Sequence, residues 1–406
     1  MITKGYKNYK ILIIRTLDKI SIFSKCRKAF LCEVFILFLS VKGRINFLQL
    51  SRFGDFKEQR YRQQFEKPFP FLEFNKELAL SHGGKRFVIA FDPSYISKSG
   101  KKTPGLGWYW SGCAGQAKWG LEIGGLAVID LDNHTAFHLE AVQTLIDDKQ
   151  ATSLSDWYAN VVRERVGSLR SITKYMVADA WFSKKPFVEQ IIQMKMHLIS
   201  RLRDDADLKY LFKGDLTGNK GRPKKYAGKI DLDNIDENYF ELIEQTPQAT
   251  ISSAIVYSKS LKRNIRLVHV TYTNNKAKVT RKLYFCTDTQ MGALEILDSY
   301  RSRFQIEFLY RDGKQYTGLT DSQARSKNKL HFHFNASLTA INIAKVEHWL
   351  SMPKEARTPF SMSDIKTMNH NRLLLQRFID VFGINPYTAK NRNYVNELIY
   401  YGTMAA

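Results

Sequence analysis

The chain has 406 residues and carries 62 Lys and Arg against 39 Asp and Glu, a formal charge of +23. Enzymes of small metabolites have little use for such a field. A polyanion binder does, because each neutralised phosphate releases counterions, although ribosomal or membrane-surface binding would also account for the charge. A hydrophobic share of 44% excludes wholesale disorder, and the length allows roughly two to four structural units.

The opening MITKGYKNYKILIIRTLDK is basic, and its apolar run is too short for a secretory leader. The stretch Phe30–Val41 is apolar apart from Glu33. At about twelve residues, where a membrane span needs about twenty, it predicts a core helix. Cys26, Cys32, Cys113 and Cys286 are scattered without a C-x2-C pair, which suits reduced thiols in a cytoplasmic protein rather than zinc ligands or a disulfide frame.

Residues 1–80 read as helical, with a helix over about 27–41, a turn at Gly43, a second near Asn46–Arg52, and a basic one in FKEQRYRQQFEK after Gly54. Short helices with a Gly turn and a basic last member suit either a helix-turn-helix or a plain bundle with solvated charges. Arg86–Asp92 is almost continuously apolar, as a strand buried on both faces should be. Leu121–Ile129 and Ala136–Val142 flank the turn DLDNHT and predict a hairpin. A helix near Ser153–Arg170, a strand at Tyr175–Asp179, a helix at Lys184–Met194 and a strand at His197–Leu202 follow. Periodicity alone makes this mixed α/β. Residues 204–288 hold a charged, Gly-rich loop and three β-like runs, Ile251–Val256, Ile265–Thr273 and Arg281–Thr287. A long helix over Lys327–Leu350 and a helical 351–406 complete the chain. That tail suits either dimerisation or packing on the core.

Tyr300, Arg303, Glu307 and Lys314 fall at steps of three, four and seven. On one helix they would lie at roughly 0°, −60°, −20° and −40°, a narrow polar stripe beside an apolar face of Leu294, Leu297, Phe304 and Phe308. A carboxylate flanked by a phenol, a guanidinium and an ammonium suits a metal-bound phosphodiester. A solvated face with an Arg303/Glu307 ion pair is the plainer alternative.

The pattern Tyr-x2-Arg-x3-Glu-x6-Lys at 300–314, with Asp92 in FVIAFDPSYISKSG and Asp179 in YMVADAWF, resembles the signature of DDE transposases of the insertion sequence four family. The resemblance runs from about 80 to 350 and has the three motifs in order. It implies an α/β fold: an RNase H-like catalytic core in two parts (81–203 and 289–350, the second bearing the catalytic helix), interrupted by a β-rich insertion domain (204–288). Helical N-terminal (1–80, DNA-binding) and C-terminal (351–406) regions flank it. Asp92, Asp179 and Glu307 would be the catalytic and metal-binding triad, holding Mg²⁺, with Mn²⁺ able to substitute. Tyr300, Arg303 and Lys314 would position phosphates of the transposon end. The partners implied are double-stranded DNA, as transposon ends and target, and a second copy in a dimeric synaptic complex, with no membrane. The activity implied is cut-and-paste transposition: metal-dependent cleavage at terminal inverted repeats, a hairpin intermediate and strand transfer. The family's base-flipping Trp has no counterpart, since no Trp lies between 182 and 348. An RNase H-like nuclease or junction resolvase would not need the Tyr/Arg/Lys flank. A non-transposing DNA-binding remnant would not need intact carboxylates.

The loop Asn219–Tyr226 reads NKGRPKKY, and its Lys220, Arg222 and Lys224 suit either an AT-hook lying in a minor groove or a solvated loop that touches phosphates. DLDNIDENYFEL at 231–242 lacks the Gly and final Glu of a calcium loop, and GLGWYW at 105–110 lacks the third Gly of a dinucleotide loop.

Overall fold

The computed structural model describes residues 2–145, 153–214, 223–273 and 279–404. Five helices lead: α1 (Ile2–Ile20), α2 (Lys25–Ser40), α3 (Phe47–Phe53), α4 (Glu58–Gln64) and α5 (Phe71–His82). The Ser24 hydroxyl accepts from Arg27 N (3.2 Å) and the Asn46 side chain from Gln49 N (3.0 Å), capping α2 and α3. From Phe30 onward α2 is buried almost all round, as the sequence predicts for a core helix. Among the described residues no helix is long and apolar enough to cross a membrane.

Four strands follow, β1 (Phe87–Ser97), β2 (Gly107–Ser111), β3 (Gln116–Asp130) and β4 (Thr135–Gln143). Next come α6 (Leu154–Arg163), α7 (Val166–Arg170), β5 (Tyr175–Ala178), α8 (Lys185–Gln193) and β6 (His197–Leu202). The one helix predicted over 153–170 is thus two, parted at Arg165, whose backbone leaves the helical region (φ −114°, ψ 2°).

Strands β7 (Leu208–Leu211), β8 (Tyr226–Lys229), β9 (Glu241–Gln245), β10 (Ala249–Ser258), β11 (Arg263–Thr273) and β12 (Val279–Cys286) come next. They are followed by α9 (Ala293–Ser302), α10 (Gln305–Tyr316), α11 (Lys327–Leu350), α12 (Met362–Phe382) and α13 (Ala389–Tyr400). All strands of the described residues join one mixed sheet, in the order β2-β3-β1-β5-β6-β12-β11-β10-β7-β8, with β4 beside β3 and β9 beside β10. β1 runs antiparallel to β3 and β3 to β4, whereas β1, β5 and β6 are parallel. Strands of 204–288 extend this same sheet, because β12 pairs antiparallel with β6.

Neighbouring residues of β1 face opposite sides of the sheet. Phe91 meets Tyr158 of α6 and Phe182, with centroids 5.4 and 5.5 Å away. On the other side the Tyr310 hydroxyl of α10 donates to the Asp92 carbonyl (2.5 Å). The free edge of β4 lies under α11, a helix buried on all sides over most of its length. Asn335 accepts from Ala141 N (2.7 Å) and donates to Ala141 O (2.9 Å). Two turns on, Asn342 accepts from His138 N (2.9 Å) and donates to His138 O (2.7 Å). Lys345 then donates to Ala136 O (2.7 Å). Three side chains of one helix thereby satisfy an edge that would otherwise be open to another strand.

Candidate active site

The parallel register of β1 and β5 ends with Phe91 beside Ala178. Continued by one residue it sets Asp92 beside Asp179, about 5 Å apart at the backbone. Asp179 thus follows the carboxyl end of β5, and Asp92 stands in the middle of β1 where its parallel pairing with β5 stops, a point at which an α/β sheet can open into a crevice. Asp179 begins a 3₁₀ turn (Ala180–Phe182), and its carboxylate accepts from Trp181 N (2.8 Å). Behind it, Ser183 donates to Ser200 Oγ (2.9 Å), which donates to the Asp179 carbonyl (3.0 Å). These serines pin the backbone that presents the carboxylate.

Glu307 comes from the first turn of α10. The sequence predicts one helix through 300–314, but α9 ends at Ser302 and α10 begins at Gln305. Across the junction Arg303 N, Phe304 N, Ile306 N and Glu307 N bond carbonyls three residues back. The chain tightens there while Arg303 keeps helical dihedrals (φ −49°, ψ −37°). Tyr300 anchors the end of α9 on β12, its ring 5.0 Å from that of Tyr284.

Arg303 stands at the centre. Its guanidinium donates to Glu307 Oε1 (3.0 Å) and lies 3.8 Å from Asp92 Oδ1. Burial pulls its basicity down, but Asp92, Tyr300, Glu307 and Asp179 together raise it above the usual value. Its Nε is buried without a hydrogen-bond partner. Asp92 shows the reverse. Burial first pushes its carboxyl up to about 7, Arg303 opposes this, and Glu307 and Asp179 add like charge. All three carboxylates, together with Arg303 and Tyr300, thus share one electrostatic neighbourhood. Lys314 joins it from the last turn of α10, donating to Ser94 Oγ (3.0 Å); burial lowers its basicity, with Cys113 and Asp92 opposing.

Three carboxylates that repel one another are the donor set a hard divalent cation takes. Among the described residues, however, no group of three or more His, Cys, Asp or Glu is arranged to hold a metal ion. A guanidinium occupies the space between Asp92 and Glu307. Lys224 is exposed, its ammonium 5.1 Å from the Phe212 ring, while Lys220 and Arg222 lie outside the described residues.

Sequence reasoning missed Tyr310 and Gly125. Gly125 pairs with Asp92 across β1 and β3, and a Cβ there would meet the Tyr310 hydroxyl at 1.8 Å. The signal was available: Gly124-Gly125 interrupts an apolar strand, which marks a close approach by another group.

Residues 159–343 match the family model for the transposase DDE domain. The matched span includes Asp179, Tyr300, Arg303, Glu307 and Lys314, covers under half of the chain, and leaves Asp92 outside. Comparison with curated proteins found no match. This likeness supports a DDE transposase, hence a nuclease-type enzyme with a DNA substrate.

Proposed function

We propose that this protein is a cut-and-paste DNA transposase of the insertion sequence four type, acting on the terminal inverted repeats of its own element. Asp92, Asp179 and Glu307 are its catalytic carboxylates and would hold Mg²⁺, or Mn²⁺ in its place. What supports this reading is that Asp92 within β1, Asp179 just past β5 and Glu307 at the start of α10 all act on the one Arg303 guanidinium. The strand order β4-β3-β1-β5-β6, antiparallel for the first three and parallel for the last three, supports an RNase H-like core, into which 204–288 is inserted.

Bound there, a divalent ion supplies charge neutralisation at phosphorus and a more acidic attacking hydroxyl. The chain's own residues do the rest. Asp92, largely buried, sets its carboxyl where the scissile phosphate must come, and Asp179 is held beside it by the serine pair. Arg303 offers a planar fork to a phosphate once it leaves Glu307, while Lys314 offers a point charge. Tyr300 orients the strand beside them. Two copies would assemble on paired ends in the cytoplasm, and hairpin formation remains part of the reading.

The test is cleavage of a labelled end. Asp92→Asn, Asp179→Asn and Glu307→Gln each abolish strand cleavage and leave end binding in gel shifts intact; an active variant removes that residue from the triad. In parallel, Mg²⁺ or Mn²⁺ raises the Tm of the wild-type protein but not of Asp92→Asn, and equal shifts in both would place the ion elsewhere.

A further inference from the structure

Half of the chain's six Trp residues lie within twelve positions, at 108, 110 and 119. Trp108 and Trp110 alternate with the inward Tyr109 on β2, and Trp119 is the cross-strand partner of Trp108 on β3. The three indoles therefore share one face, and they are 70%, 65% and 42% exposed. Trp108 and Trp119 meet edge to face, with centroids 6.0 Å apart. The platform is braced from behind: Tyr95 Oη donates to Trp119 O (2.7 Å) and Tyr109 Oη to Gly105 O (2.9 Å). Leaving three adjoining indoles in water costs hydrophobic free energy that a partner would recover.

Charge says which partner. No Asp or Glu occurs between Asp92 and Glu122, whereas Lys98, Lys101, Lys102 and Lys118 do. The loop joining β1 to β2 brings Lys98, Lys101 and Lys102 to a cleft of about 660 Å³ that Arg44 and Arg325 also line, against a single acid, Asp321. A second copy of a +23 chain is repelled by such a surface; a phosphate backbone is drawn to it. The surface also leads to the carboxylates. β1 carries Asp92 and ends at Ser97, which itself lines the basic cleft. Exposed aromatic faces beside a basic groove take bases whose own faces are free, as an unpaired strand offers and a closed duplex does not.

We propose that Trp108, Trp110 and Trp119 stack up to three unpaired bases of a single DNA strand leaving the carboxylate site, whose phosphates run along the Lys98–Lys102 cleft. The proposal rests on the transposase reading and adds a single-strand subsite to it.

The experiment measures fluorescence anisotropy of a labelled oligothymidylate and of a blunt duplex with full-length protein. Trp108→Leu and Trp110→Leu each weaken oligothymidylate binding by about tenfold or more and leave the duplex affinity unchanged. Trp110→Phe, which keeps an aromatic face, retains most of the affinity and controls for local misfolding. Lys101→Ala with Lys102→Ala flattens the salt dependence of single-strand binding by about one unit. Leu variants that bind oligothymidylate as tightly as wild type overturn the proposal while leaving the transposase reading intact. Leu variants that lose self-association in sedimentation without losing strand affinity overturn it too, in favour of a protein interface. Wild-type protein that binds neither DNA form removes both readings.

Discussion

Gly125 and Tyr310 show how closely the carboxylate site depends on one missing methyl. A Cβ at 125 would stand 1.8 Å from the Tyr310 hydroxyl and 2.8 Å from its ring carbon, so in Gly125→Ala the Tyr310 ring, or α10 and Glu307 with it, must shift. Cleavage by Gly125→Ala is expected to fall by at least tenfold with secondary structure retained. Adding Tyr310→Phe restores part of it, since the oxygen goes but the ring remains; full activity of Gly125→Ala would show that α10 is free to shift. Asp92 ties stability to pH. Burial pushes its carboxyl from an ordinary 3.8 up to about 7. Between those values the folded chain holds a proton that the unfolded chain releases, so this group's contribution to stability falls as pH rises from about 4 to 7. In metal-free protein, Asp92→Asn removes that slope. Its Tm relative to wild type therefore rises with pH across the window in calorimetry, and a constant difference would refute the shift.

Among the elements, α11 has the most to satisfy. It is apolar enough to be buried all round, yet it brings Asn335, Asn342 and Lys345 to the backbone of β4. Replacing Asn342 by the similarly shaped Leu leaves His138 N and O without these partners. The expected loss is about 2–5 kcal/mol, read from denaturant midpoints, because a buried unsatisfied group costs about 1–3 kcal/mol; a neutral change would mean the edge finds other partners. α12 does related work at the end of α2, where Lys366 Nζ donates to Phe38 O (2.8 Å). The sequence predicts a long helix around Lys327–Leu350, and α11 fills that span. Periodicity does not predict that α9 and α10 are separate. A tight turn that keeps helical dihedrals at Arg303 leaves the apolar spacing nearly unchanged, so the pattern runs through the break. Nor does it find β7, β8 and β9, which are short and mostly half-exposed and so lack a strong apolar alternation.

At the scale of the molecule, one sheet carries both the strands that present Asp92 and Asp179 and the strands of 204–288. Its middle is parallel and its flanks antiparallel, so the point where β1 parts from the end of β5 is open to helices on both sides. α10 reaches it from the Asp92 face, while α6 fills the Phe91 face. The acid-free stretch after Asp92 runs from β1 along the basic cleft to the tryptophan face. The chain alone determined the positive charge, the order of the acidic motifs, the helical ends and the apolar strands, because these are properties of composition and of neighbours a few residues apart. Only the folded molecule decided that Arg303 stands between Asp92 and Glu307, that Gly125 admits Tyr310, and that α11 seals β4. Each of those depends on contacts between segments scores to hundreds of residues apart, and local periodicity carries no information about which distant segment will supply a partner.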